Sequence, residues 1–224
     1  MNTTQSSTGT KLQGEIISYI RRNRVSTTEV ADCLNKSGVL PGVTPLNRGH
    51  FAVGNVFWTY AHAASNWPIH EHIVNVQEGD VVVVDAFECD DRALFGDLVS
   101  KYLILYKQAR AVVVRGKVRD VPRLIKENWP IWCAGFSPVG CFNTQPPNLP
   151  DAQLLAEGRR RFEGSIAVCD DSGVVIIEKV HHTVEFLKRL EWIEEQEDIW
   201  YSCIDRKKWS TFETVCLKKY LTPD

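Results

Sequence analysis

The chain has 224 residues, 44% of them hydrophobic and 24% charged, which is enough apolar mass to bury a full core as one globular domain with or without an extension. A formal net charge of −2 argues against a protein whose main business is neutralising nucleic-acid phosphates, and the apolar runs are too short to span a bilayer. Seven cysteines, at Cys33, Cys89, Cys133, Cys141, Cys169, Cys203 and Cys216, are odd in number and never form Cys-x-x-Cys, so reduced thiols in a cytosol-like, cytoplasmic compartment are expected rather than a disulfide framework or a zinc site.

The first nine residues are Thr/Ser-rich and carry no apolar stretch of the secretory kind. Residues 11–24 place Leu12, Ile16, Ile17 and Ile20 at helical spacing and end in Arg21, Arg22 and Arg24, which predicts an amphipathic helix. Ser26-Thr27-Thr28-Glu29 then has the pattern of a capping box, with Gly38 closing the helix that follows. Residues 39–50 read as a loop, and 54–60 alternate enough to form a strand. His62, His70 and His72 raise a metal reading. His70-Glu71-His72 would put both imidazoles on one side only in a strand, however, and Pro68 to Val74 reads as a helix start.

Val81-Val82-Val83-Val84 is an unbroken β-branched run, the mark of a parallel strand buried on both faces, and Val112-Val113-Val114 is a second. Between them Leu98, Leu103, Leu105 and Tyr106 form an apolar face, and Gly96-Asp97 stands where a helix would begin, so the stretch is a βαβ unit. Such a unit brings the N-terminus of its helix and the end of its next strand to the same rim of the sheet, where open α/β proteins bind ligands. Asp97 and Arg119-Asp120 then share one cleft. The helix start offers N–H groups to a small carboxylate or phosphate, Arg119 adds a fixed cation, and Asp120 offers oxygen to a hard divalent ion. The competing reading of the same residues is a pair of solvated turn residues and an ordinary first-turn acid.

Glu88-Cys89-Asp90-Asp91-Arg92 is a polar loop ahead of this helix, in which Asp90 and Asp91 read as a hydrated acidic loop before a supplement to a metal site, and Arg92 is a candidate to hold a second carboxylate of a ligand. Residues 138–163 carry Pro146-Pro147, Pro150 and the basic run Arg159-Arg160-Arg161. Residues 164–178 read as two strands around the turn Asp170-Asp171-Ser172-Gly173, and 183–197 as a helix with Val184, Leu187, Leu190 and Ile193 on one face. Residues 198–224 hold Trp200, Tyr201, Trp209, Phe212, Val215, Leu217 and Tyr220, too apolar for a free tail, and should pack on the body or on another subunit.

Gly-Asp-Leu at residues 96–98, an apolar crossing, then Gly-x-Val-Arg-Asp at 116–120 resembles the family of 4-hydroxy-4-methyl-2-oxoglutarate aldolases and the related regulator of ribonuclease activity A. The likeness continues through Ser26 to Leu34, Glu78 to Asp85, Trp129 to Gly135 and Gly164 to Ile177, and covers about residues 25–197. It implies an α/β/α sandwich around a central sheet over 25–197, preceded by a helix in 1–24 and followed by a helical extension in 198–224. It further implies a class II lyase acting on a small 2-oxo acid through a pyruvate enolate, by retro-aldol cleavage or by decarboxylation of an oxaloacetate-like substrate. Arg119 would hold the keto or enolate oxygen, Asp120 would support Mg²⁺ or Mn²⁺, and Asp97 would orient a water for proton transfer. Backbone amides around Gly96, Leu98 and Val99 would hold the substrate carboxylate. An acid of a neighbouring subunit, Glu197 by counting along its helix, would join the metal's water shell in a homotrimer or dimer of trimers.

The same resemblance carries two alternatives: a non-catalytic regulator that binds a protein partner, and the fold recruited to another chemistry, with Trp58 and Arg159-Arg160-Arg161 lining an altered pocket. Three departures bear on the choice. The crossing from Leu98 to Val118 is one residue longer than usual, Arg123 stands where many members carry an acid, and 138–163 lacks the expected Gly-rich strand pair.

Overall fold

The computed structural model describes residues 3–222, and side chains from residue 11 onward. The elements in chain order are α1 (Thr3–Asn23), α2 (Thr27–Cys33), β1 (Thr44–Pro45), β2 (Ala52–His62), α3 (Trp67–His72), β3 (Val81–Phe87), β4 (Ala93–Phe95), α4 (Asp97–Lys101), β5 (Ala111–Val118), α5 (Val121–Lys126), β6 (Ile131–Phe136), α6 (Ala152–Phe162), β7 (Ile166–Asp170), β8 (Gly173–Ile177) and α7 (Val184–Asp205). The strands form one mixed sheet in the order β1-β6-β5-β3-β2-β7-β8, with β4 beside β5. β3 lies parallel between β2 and β5, and β5 parallel to β6, so the valine runs occupy the protected centre.

β2 joins two parts of the sheet. Its first residues, Ala52 to Asn55, pair antiparallel with β7, and Val56 to His62 pair parallel with β3. At the crossing a Cβ on Gly54 would collide with the Gly79 carbonyl, so only glycine lets the backbones approach. The β7–β8 hairpin consequently turns over the parallel strands and is buried on both faces. Ala167, Cys169, Val174 and Ile176 pack with Val81, Val83, Val113 and Trp132, while Ile166, Val168, Val175 and Ile177 pack with apolar residues of α1, α2 and α7. The other face of the parallel strands, Val82, Val84, Val112 and Val114, packs under the segments carrying Ile69, Val99, Leu103 and Leu124. Helices thus cover the mixed sheet on both sides.

Local chemistry fixes the element ends. Ser26 accepts from the Glu29 amide, and the Glu29 carboxylate accepts from the Ser26 amide at 2.7 Å, which completes the capping box of α2. α7 runs unbroken through residues 197 and 198, so the division expected there falls inside a helix. The aromatic segment beyond it turns back onto α7: Trp200 Nε1 donates to the Tyr220 hydroxyl at 3.2 Å, which donates to Gln196 Oε1 at 2.8 Å. Among the described residues no helix is long and apolar enough to cross a membrane.

The stretch 138–163 is irregular up to α6, whose last turn carries the basic run. There Arg161 donates to the Val39 carbonyl at 3.1 Å, while Arg159 and Arg160 reach Glu163 and Glu178. Trp58 Nε1 bonds Asp85, and its ring packs on Phe162 and against Gly158, where a Cβ would collide with it. Trp58 and Arg161 thus tie α6 to the sheet, while Arg159 and Arg160 stay largely exposed at the helix end.

Candidate active site

β5 ends at Val118, and the Arg119 amide donates to the Phe95 carbonyl at 3.0 Å, so the β4–β5 pairing sets where the chain leaves the sheet. Asp120 then takes a left-handed conformation with φ 57°, and its carbonyl accepts from the amides of Arg123 and Leu124 at the start of α5. This bend turns its carboxylate towards α4. The Asp97 amide donates to Asp120 Oδ2 at 3.2 Å, and Arg119 Nε stands 3.6 Å from the same oxygen. Gly96 makes the approach possible, because a Cβ there would collide with the Asp120 carboxylate and lie 2.8 Å from Arg119 Cγ. On the opposite wall a Cβ at Gly140 would come to 2.5 Å from Arg119 Nη1. Gly140 thus packs on the guanidinium and Gly96 on the stem of the same arginine.

The cleft so formed holds about 110 Å³ and includes Gly96, Asp97, Leu98, Val99, Arg119 and Asp120. That is well below the roughly 300–1,000 Å³ of sites for drug-sized ligands, and suits a small acid. The topology therefore gathers these six expected residues. Glu197 lies elsewhere in the same chain, on α7 near Glu29 and Asp32; burial first, then repulsion from those acids and from Asp198 and Glu194, raises its pKa.

The longer crossing still brings the Asp97 amide to 3.2 Å from Asp120 Oδ2. α4 passes directly into a π-helical turn over residues 102–106, closed by the Lys107 amide on the Tyr102 carbonyl at 3.0 Å. A π turn closes over one residue more than an α turn, which matches the one-residue surplus of the crossing. Arg123 points its Nε to Glu127 Oε1 at 3.0 Å, an i,i+4 pair along α5. Arg92, expected to meet a substrate carboxylate, instead braces the wall: its Nη1 donates to the Gly140 carbonyl at 3.0 Å and its guanidinium lies over the Phe142 ring at 4.6 Å.

Asn66 was not apparent from sequence. It is 6% exposed and lines the cleft. Its Nδ2 donates to the Leu94 carbonyl at 2.9 Å, and its Oδ1 is buried with no protein partner. A carbonyl can only accept, so the amide orientation is fixed and the orphan atom is an acceptor. One signal existed: Asn66 stands at the N-cap of α3, where asparagine ordinarily bonds the first turn, yet its side chain makes no such bond. The histidines diverge. His70 lines the cleft, whereas His72 Nδ1 meets Thr59 Oγ1 at 2.9 Å and burial lowers its pKa. Among the described residues no group of three or more His, Cys, Asp or Glu could hold a metal. A hard cation that keeps most of its waters needs only one or two carboxylates, so Asp120, alone or with Asp97, would be its candidate donors.

Fold and cleft together define an α/β protein with an arginine–carboxylate cleft past the end of the central parallel strand β5. The chain belongs to the RraA-like family, described as Aldolase/RraA, which matches residues 27–176. It is 27% identical to a provisionally named 4-hydroxy-4-methyl-2-oxoglutarate aldolase of Halalkalibacterium halodurans, over 75% of this chain and 79% of that protein. It is also 27% identical to protein DlpA of Legionella pneumophila, over 68% of this chain but only 26% of DlpA, so the match spans about a quarter of that relative. Among solved structures, an uncharacterised protein of Pseudomonas syringae pv. tomato superposes with TM-score 0.70 at 22% identity, covering 92% of this chain and 94% of the other. Streptomyces coelicolor RraAS2, described as an unusual member of the RNase ES inhibitor RraA family, superposes with TM-score 0.60 at 24% identity, covering 90% and 96%. These two likenesses establish the fold.

Proposed function

We propose that the chain is a divalent-metal-dependent lyase for a small 2-oxo acid, breaking the carbon–carbon bond next to a pyruvate unit by retro-aldol cleavage or by oxaloacetate-type decarboxylation. The observation that carries this reading is the convergence of Asp97, Arg119 and Asp120 on Gly96 in a cleft of small-acid size. The Arg119 guanidinium makes one loose contact and keeps donors free for the oxygen on which enolate charge develops. The amides of Leu98 and Val99, in the first turn of α4, receive the substrate carboxylate. Asp97 holds the water that carries a proton to or from the enolate carbon. Asp120 and Asp97 would hold Mg²⁺ or Mn²⁺, which supplies Lewis-acid polarisation of the keto group when bound. Nothing in the cleft geometry chooses between cleavage and decarboxylation. The name of the Halalkalibacterium halodurans relative favours the aldol cleavage. In this reading the protein works in the cytoplasm as a homotrimer or dimer of trimers, with Glu197 of the partner subunit beside Asp120.

The deciding experiment measures pyruvate release from 4-hydroxy-4-methyl-2-oxoglutarate and from oxaloacetate, with Mg²⁺ and with chelator, for the natural protein and for Arg119→Ala. Metal-dependent turnover that is lost in Arg119→Ala is expected. Absence of turnover with both substrates under every metal would sink the reading. A second reading, a regulator that binds a protein, is favoured by apolar surface at the cleft mouth, where Leu98 is 77% exposed and Val74 and Tyr106 are exposed nearby in the fold. Inhibition of an RNase E-type nuclease by a chain that releases no pyruvate would establish it instead.

A further inference from the structure

Two free thiols meet on the wall of the cleft. Cys89, 3% exposed, lies in the turn after β3, where Glu88 and Asp90 are left-handed and the Arg92 amide bonds the Cys89 carbonyl at 3.1 Å. Cys141 lies in a segment held against β4 by two backbone bonds, Cys141 amide to Ala93 carbonyl at 2.9 Å and Ala93 amide to Val139 carbonyl at 2.8 Å. Ala64 ties the two segments together, its amide donating to the Glu88 carbonyl at 2.9 Å and its carbonyl accepting from the Phe142 amide at 2.8 Å, so that Cys89 and Cys141, one residue on from the first and one before the second, lie side by side in one core cluster. Cys141 lines the cleft and is half-buried, so a small solute entering there meets it, with Cys89 directly behind. The contact lowers the pKa of Cys89 and, with burial, raises that of Cys141. Cys33, Cys133 and Cys169, by contrast, are held as thiols chiefly by burial.

We propose that Cys89 and Cys141 are a reversible redox modification site, joined as a disulfide by a hydroperoxide that enters the cleft. The two S–H bonds and the peroxide O–O bond break, and one S–S bond forms. The sulfurs lose two electrons, and the two protons leave on the peroxide oxygens as an alcohol and a water, or as two waters from hydrogen peroxide. A thiol reductant reverses the step by exchange. The bond ties the turn at residues 88–92 to residues 139–142, a pairing already begun by the Arg92 contact to Gly140. Gly140 packs on the Arg119 guanidinium, so oxidation stiffens the wall against which that cation rests. The site stands whether the cleft serves a lyase or a regulator.

The test uses the full chain carrying Cys216→Ser, which removes the exposed cysteine. Hydrogen peroxide followed by alkylation and thiol counting under denaturing conditions should take six thiols to four, restored by dithiothreitol. Peptide mapping of the natural chain should find Cys89 linked to Cys141 within one chain, and adding Cys89→Ser to Cys216→Ser should hold the count at five. Full alkylation of Cys89 and Cys141 at doses that oxidise Cys216 in the natural chain would overturn the proposal. So would oxidation of Cys141 to a sulfinic or sulfonic acid with Cys89 still free.

Discussion

The same strands carry two arginine–aspartate pairs, and they are built in opposite ways. On β3 and β5, Asp85 is buried at 4% exposure, with one oxygen accepting from Arg115 Nη1 at 2.6 Å and the other from Trp58 Nε1 at 2.9 Å. Each oxygen has a protein donor, and Trp58 carries the pair against Phe162 of α6. Just past the end of β5, Arg119 and Asp120 stand 3.6 Å apart, with side chains 47% and 41% exposed and one backbone N–H on the carboxylate. The buried pair has spent its hydrogen bonds on the protein, where an unpaired charge is costly. The open pair has kept them, although Gly96 and Gly140 give up side chains to hold it in place. Satisfaction marks the first as architecture, and unspent capacity makes the second the candidate ligand site.

The largest break in this comparison is Arg119→Ala. It should cost on the order of 10²-fold in kcat/KM for pyruvate release, about 2.7 kcal/mol in the barrier, as loss of an oxyanion partner does, and should leave the denaturant midpoint unchanged. Asp85→Ala should do the reverse. Removing the acceptor of a charged donor costs about 2 kcal/mol of stability, below the ~3–5 of a fully buried pair because Arg115 is 33% exposed and water reaches it. Urea unfolding should record that loss, with kcat/KM held near the natural value. Gly96→Ala comes next: its Cβ must displace the Asp120 carboxylate, and a shift of that kind should cost about tenfold in turnover, ~1.4 kcal/mol, with little change in stability. Equal losses of activity in Asp85→Ala and Arg119→Ala would erase the distinction between the pairs.

The open pair was legible because topology does the gathering. Once Val81 to Val84 and Val112 to Val114 are read as neighbouring parallel strands, Gly96, Asp97, Arg119 and Asp120 must share a rim, whatever the side chains do. The buried pair was not legible, since Trp58, Asp85 and Arg115 meet only through strand register across β2, β3 and β5. Asn66 was missed for a related reason: its role depends on the carbonyl of Leu94, in the three-residue strand β4 that carries no periodic signal. The π turn over residues 102–106 was foreshadowed by one surplus residue in the crossing, but a length cannot say whether a helix widens or its start slides. The irregular segment 137–150, which supplies Gly140 and Cys141, offers neither helical nor strand periodicity to read.

Glu197→Gln sharpens the comparison from a third carboxylate, and its effect is the smallest. Glu197 belongs to neither pair: burial and the nearby charges of Glu29, Asp32, Asp198 and Glu194 raise its pKa. An acid whose folded pKa lies above its unfolded value favours the fold while protonated, and that contribution is lost as pH rises through the folded value. At neutral pH the charged Glu197 therefore costs stability, so Glu197→Gln should raise Tm slightly at pH 7, with the gain shrinking as pH falls below the usual carboxylate range. Pyruvate release by the same variant separates two roles. If Glu197 only crowds the acids of α2 and α7, turnover stays at the natural value. If it completes the site of a neighbouring copy, turnover falls while Tm still rises, which a purely structural carboxylate would not produce.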